Sequence, residues 1–136
     1  MTEDNRRSTP RAASEPLLPG SADAFKRFSA ALRILSMAVP PRVSVRQLLA
    51  FAIVANANSM GRSITLSEVR EIAGDAIGQS IERTIQQFFP PTRQDPDGLG
   101  WIEQELDLDD RRKKYLKLTA MGRYVANEMT KVILDH

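Results

Sequence analysis

The chain has 136 residues, of which 42% are hydrophobic and 26% charged, and its formal net charge is +2. That is the composition of one ordinary globular domain with room for a hydrophobic core, and it argues against a disordered or fibrous chain. Cysteine is absent and the single histidine is His136, which excludes a disulfide framework, a thiolate zinc site, a cysteine redox switch and a histidine-based catalytic or metal centre.

Residues 1–20 are polar, hold Pro10, Pro16, Pro19 and Gly20, and read as a flexible tail. Arg6, Arg7 and Arg11 are not followed by the apolar run of a secretory signal, and no stretch reaches the length of a membrane span, so cytoplasmic residence without membrane attachment is expected. Ser21 is placed to cap a helix running to about Val39. Phe25, Phe28, Leu32 and Leu35 mark one face of it, and Pro40-Pro41 ends it. Ser44 caps a second helix. Leu48, Leu49, Phe51, Ala52, Ile53 and Ala55 make that helix apolar nearly all round, which suits the middle of a fold. Asn56 to Gly61 carries the signal of a loop.

Thr65-Leu66-Ser67-Glu68 is a capping box, with Ile64 and Val69 at the hydrophobic-staple positions. It predicts a short helix from Leu66 to Ala73, closed by Gly74. Asp75 is placed to cap the next helix, which runs to about Phe89 with Ile77, Ile81, Ile85 and Phe88 as its apolar side. Two short helices joined through a glycine turn, behind a buried helix, form a helix-turn-helix arrangement. Pro90-Pro91 and a polar loop to Gly100 follow.

Trp101 to Leu106 reads as a strand and Lys114 to Leu118 as its antiparallel partner, a wing. Between them runs Asp107-Leu-Asp-Asp-Arg-Arg-Lys113. A basic hairpin tip of this kind suits nucleic-acid phosphate or a narrow minor groove. Thr119 is a good N-cap for a last helix, Ala120 to about Asp135. The fold class predicted is therefore mainly α with a small β-wing, a winged helix-turn-helix.

Asp107-Leu108-Asp109-Asp110-Arg111-Arg112, then Leu116-Lys117-Leu118-Thr119 and Gly122, resemble the wing pattern of the MarR family of winged-helix transcription regulators. Ile64 to Val69 also looks like that family's entry into its helix-turn-helix. The resemblance implies a MarR-like domain over residues 21–136. In it, helices at about 21–39 and 120–135 form a dimerisation region, and a DNA-binding lobe spans about 44–119. It implies a homodimer on a palindromic double-stranded DNA site and a small-molecule effector in some members. It also implies that Asp110 and Arg112 pair to shape the wing, with an arginine entering the minor groove. The segment from Phe89 to Gly100 is longer than usual for the family and has three prolines. Glu82 is an acid on the side that should face DNA.

The candidate site residues follow. Arg111, Arg112, Lys113 and Lys114 are the wing contacts, and Asp110 is the wing-shaping partner. Gln79, Ser80, Glu82, Arg83 and Gln86 are candidate major-groove readers, since amide, guanidinium and carboxylate groups each match particular base edges. Ser67 and Arg70 are candidates for phosphate. Phe25, Phe28, Leu32, Tyr124, Met129, Val132 and Ile133 are candidates for the dimer interface. The reading is a sequence-specific DNA-binding regulator, acting as a repressor, with no cofactor. The alternative is a winged-helix protein-interaction module, because fold does not dictate function. Glu103 and Glu105 share a strand face, but nothing joins them as nucleophile or metal ligand, so an enzyme is not expected.

Overall fold

The computed structural model describes residues 15–77 and 80–135. Most of the expected flexible tail (residues 1–14) and Gln79 therefore lie outside the described residues.

Helix α1 spans Ser21–Ala38. Its cap is Gly20, at φ 89°, and not Ser21. The Pro19-Gly20 turn sends the Ser21 amide back to the Leu18 carbonyl at 3.1 Å, a reversal that needs the left-handed freedom of glycine. The helix ends at Val39, which is extended at φ −115° and ψ 151°, the conformation required before Pro40. Its apolar face is divided. Ala31 and Leu35 are buried, whereas Phe25, Phe28 and Leu32 are exposed.

Helix α2 covers Val45–Ser59 and begins with a capping box between Ser44 and Gln47. The loop expected from Asn56 is thus helical up to Ser59. Tertiary contacts override the local preference: Ala57 is buried, and the Asn58 side chain is held at both ends. Its Oδ1 accepts from the Leu118 amide at 2.7 Å, and its Nδ2 donates to the Arg62 carbonyl at 2.8 Å. Ala50, Phe51 and Val54 are fully buried, which places α2 at the centre of the domain.

Strand β1, Ile64–Thr65, leads into helix α3, Leu66–Ala73. The Thr65–Glu68 capping box is formed, and Gly74 closes the helix at φ 62°. A 3-10 turn over Gly74–Ala76 follows, so Asp75 lies inside a turn and does not cap the next helix. Helix α4 spans only Ile81–Gln86. Ile77, Ile81 and Ile85 are all buried, and Gly74, a poor helix former, opens the 3-10 turn that separates α3 from α4.

Strands β2, Ile102–Leu106, and β3, Lys114–Leu118, form the wing. Ile102 pairs with Leu118 and Leu106 with Lys114. The sheet has a third member that the sequence pattern did not show, because β1 is only two residues long. Its order is β1-β3-β2, all antiparallel, with Ile64 opposite Leu116 and Thr65 opposite Tyr115.

The core is built on three aromatic rings in mutual contact. Phe51 lies 5.7 Å from Phe88 and 5.0 Å from Trp101, and Phe88 lies 5.7 Å from Trp101. They join α2, the end of α4 and the root of the wing. Phe88 also binds the wing through its backbone. Its carbonyl accepts from the Trp101 amide at 2.8 Å and the Ile102 amide at 2.9 Å. Leu99 donates to Gln87 and Gly100 to Phe89. The proline-rich segment is therefore fastened at its neck, and its middle is held as well, the Asp97 carbonyl accepting from the Gln87 side chain at 3.0 Å and from Arg42 at 3.3 Å.

Helix α5, Ala120–Leu134, is capped by Thr119, whose Oγ1 accepts from the Gly122 amide at 3.1 Å. The same hydroxyl donates to the Gly100 carbonyl at 2.6 Å. Helices α1 and α5 lie side by side and antiparallel, and the Arg27 guanidinium donates to the Ile133 carbonyl at the end of α5. That favourably meets the partial negative charge of a helix C-terminus.

Candidate nucleic-acid interface

The wing tip is organised by carboxylates. Oδ1 of Asp107 accepts from the Asp109 amide at 2.8 Å and the Asp110 amide at 3.3 Å. Its Oδ2 accepts from the Tyr115 hydroxyl at 3.0 Å. Asp110 Oδ1 then accepts from the Arg112 amide at 3.1 Å and the Arg112 Nε at 3.2 Å. Two successive turns made by aspartate side chains, closed by Asp107 N to Lys113 O and Lys113 N to Asp110 O, fix the path of the basic residues. The backbone N–H of Asp109 and the Tyr115 hydroxyl hold the Asp107 carboxyl below its ordinary value, because both favour the ionised form. The same bond, together with the charge of Asp107, raises the Tyr115 hydroxyl above its ordinary value. The organising role of Asp107 and Tyr115 went unread in the sequence. The spacing of Asp107 from the amides two and three residues on was the available signal, but the pairing with Tyr115 depends on the hairpin register.

A groove of about 340 Å³ opens between this tip, the start of α3 and the side of α4. Thr65, Leu66, Ser67, Arg70, Glu82, Arg112, Lys113 and Lys114 line it. A neighbouring hollow takes in Glu82, Gln86, Gln104 and Lys114. Seven of the candidate residues thus converge: Ser67, Arg70, Glu82, Gln86, Arg112, Lys113 and Lys114. Arg83 and Arg111 are exposed but line neither hollow. Ser80 turns its hydroxyl back to the Ile77 carbonyl at 2.9 Å.

The cations of the groove are largely uncommitted. The Arg112 side chain is 91% exposed, and Asp110 is its salt-bridge partner. Among the described residues Arg70, Lys113 and Lys114 have no salt bridge. Lys117, three residues beyond Lys114 on β3, differs. It bridges Glu105 at 2.7 Å and Glu103 at 3.8 Å, and these carboxylates, Glu105 foremost, raise its ammonium above the ordinary value. The two glutamates noted in the sequence are thus partners of a lysine on the wing's outer face. Among the described residues no cluster of histidine, aspartate and glutamate could hold a metal ion.

At the other end of the molecule an apolar surface faces outward. Phe25 is 58% exposed, Phe28 55%, Leu32 41%, Tyr124 63% and Ile133 43%. Phe25 and Phe28 meet edge to face at 6.3 Å. Val132 is half-buried, and Met129 is partly buried against the core and lines a cleft of about 390 Å³ between α2 and α5.

No protein-family model matches the sequence, and no curated protein matches it. Solved structures do match in fold. One is the reduced form of MarR from E. coli, with TM-score 0.53 and 16% identity over 90% of this chain and 80% of that one. Another MarR structure matches with TM-score 0.51 and 20% identity, covering 85% of this chain and 75% of the other. A mutant MarR from E. coli complexed with operator DNA matches with TM-score 0.50 and 17% identity, over 86% and 75%. The chain therefore has a MarR-like winged-helix fold, mostly helical with a small three-stranded sheet.

Proposed function

We propose that this protein is a sequence-specific DNA-binding transcription regulator that binds a palindromic duplex as a homodimer and represses by excluding RNA polymerase. The observation that carries the reading is the groove in which Arg70, Arg112, Lys113 and Lys114 surround the exposed side of α4. Helix α4 lies in the major groove and offers Glu82, Arg83 and Gln86 to base edges. The wing tip reaches the adjacent minor groove with Arg112, where the negative potential is strongest in narrow stretches. Ser67, Arg70 and the two lysines take phosphate oxygens. The salt bridge of Arg112 to Asp110 is exposed, so giving it up for DNA costs little. The E. coli MarR mutant of the same fold, seen with operator DNA, supports this reading.

Dimerisation follows from the apolar surface on α1 and α5. Phe25, Phe28, Leu32, Tyr124 and Ile133 expose large apolar side chains on these two helices, of the kind that mark an interaction site. A two-fold partner covers it and sets two DNA-binding lobes, residues 44–119, against two half-sites. A small-molecule effector would enter the α2–α5 cleft, whose lining includes Asn56, Arg123 and Asn127 among apolar side chains. No described helix is long and apolar enough to cross a membrane, and a regulator of this kind works in the cytoplasm.

The test is selection of bound duplexes from a random pool, followed by fluorescence-anisotropy titration of the selected duplex at rising salt. A dimer that contacts six to ten phosphates loses about 10³- to 10⁵-fold in affinity between roughly 50 and 200 mM salt. Failure to bind any duplex at low salt refutes the proposal and leaves a protein-interaction module in its place.

A further inference from the structure

We infer that Glu82 sets base choice in this groove by demanding a base that carries an amino group, cytosine before adenine; the inference rests on the DNA reading above. Glu82 is exposed on α4 and lines both the groove it shares with Arg70, Arg112 and Lys113 and the hollow it shares with Gln86 and Gln104. Among the described residues its carboxylate has no salt bridge and no hydrogen bond. It is one carboxylate set among cations that no other group needs it to balance.

When DNA fills the groove, that carboxylate loses water, and an unpartnered charge out of water is costly. The phosphates repel it. In the major groove only cytosine N4 and adenine N6 donate hydrogen bonds; guanine shows O6 and N7, and thymine shows O4 and a methyl group. A guanine or thymine opposite Glu82 therefore leaves the carboxylate unsatisfied. Adenine also sets its N7 lone pair beside N6, against the second carboxylate oxygen. Cytosine has no acceptor in that position and is the better partner. The surrounding cations attract every sequence alike. Glu82 subtracts affinity from every sequence except those with the right base, which is specificity gained by rejection.

The experiment uses the full chain with Glu82→Gln and Glu82→Ala. Each protein selects duplexes from a random pool. Each is then titrated against the duplex selected by the wild type, its single-pair variants and a scrambled duplex. The expected wild-type result is cytosine at one pair, with guanine or thymine there weakening binding roughly tenfold or more. Glu82→Ala should lose that discrimination and bind the scrambled duplex more tightly than the wild type. Glu82→Gln, whose amide both donates and accepts, should move the preference to adenine. The side chain is exposed, so thermal melts of the three proteins should coincide. If both variants tighten binding to the selected and scrambled duplexes by the same factor, Glu82 is only a repelling charge and the inference is overturned. A wild type that does not distinguish selected from scrambled duplex overturns the DNA reading itself, and this inference with it.

Discussion

Gly122→Ala should destabilise the protein, although alanine is the better helix former. Gly122 lies in the first turn of α5, directly over the root of the wing. A Cβ built there would stand 2.1 Å from the Trp101 carbonyl oxygen and 3.3 Å from Leu118 Cδ2. The first distance is far inside van der Waals contact, and the atom met is backbone. That carbonyl is also committed, since it accepts from the Thr119 amide at 3.0 Å. It cannot move without disturbing the junction between β2, β3 and α5. Overpacking of a tight site costs about 1–3 kcal/mol, and a 2.1 Å approach to backbone belongs at the upper end. Replacing glycine by alanine in a helix returns at most about 1 kcal/mol. The net loss is about 1–2 kcal/mol, which for a domain of this size lowers the melting temperature by roughly 3–8 °C. A thermal melt followed by circular dichroism reads the loss, and hydrogen exchange at the Thr119 amide should accelerate. A variant that melts at or above the wild-type temperature would refute the close-approach reasoning, because propensity alone would then govern the position.

Arg112→Ala should cost about 1–3 kcal/mol of affinity for a selected duplex while leaving the melt unchanged; equal affinity by anisotropy would remove the wing from the interface. Thr65→Ala deletes the cap of α3 and should lower stability by about 1 kcal/mol in urea titration, with the midpoint shifted and the slope kept. Phe28→Ser should move sedimentation velocity from dimer toward monomer at a given concentration, and an unchanged profile would place the dimer contact elsewhere. The wing tip should also respond to pH. The folded state lowers the Asp107 carboxyl below 3.8, so its contribution is complete above the unfolded value and lost as pH falls through the folded one. The folded state raises the Tyr115 hydroxyl above 10.0, so that contribution is complete below the unfolded value and lost as pH rises through the folded one. Amide resonances of Asp109 and Asp110 should stay in place between those limits and move outside them. In Tyr124→Phe, phenolate absorbance should show Tyr115 titrating late, and Asp107→Asn should bring it earlier.

Much of the fold was legible because its signals are local. Ser44 with Gln47 and Thr65 with Glu68 start helices through bonds that span three residues, so the sequence alone determined both starts. The alternation of Tyr115 to Leu118 and the charged run before it marked the wing for the same reason. Thr119 was legible as the cap of α5, but its second bond and the need for glycine at 122 were not. Thr119 joins α5 to Gly100, and Gly122 is small because Trp101 lies against it.

What the tertiary structure decided are the features that depend on distant partners. Asn56 to Ser59 reads as loop, yet it is helix, because Asn58 meets Leu118 sixty residues away. Ile64–Thr65 is a strand only because β3 lies beside it. Helix α4 begins at Ile81, later than its spacing suggests, and a 3-10 turn over Gly74–Ala76 lies between it and α3 while Ile77 and Ile81 are both buried. The direction of the wing rested on the proline-rich stretch after Phe89, which has no regular pattern to read. Hydrogen bonds from residues 99–102 back to residues 87–89 close that stretch at its neck. The hairpin's basic tip lines a groove together with Glu82 of α4.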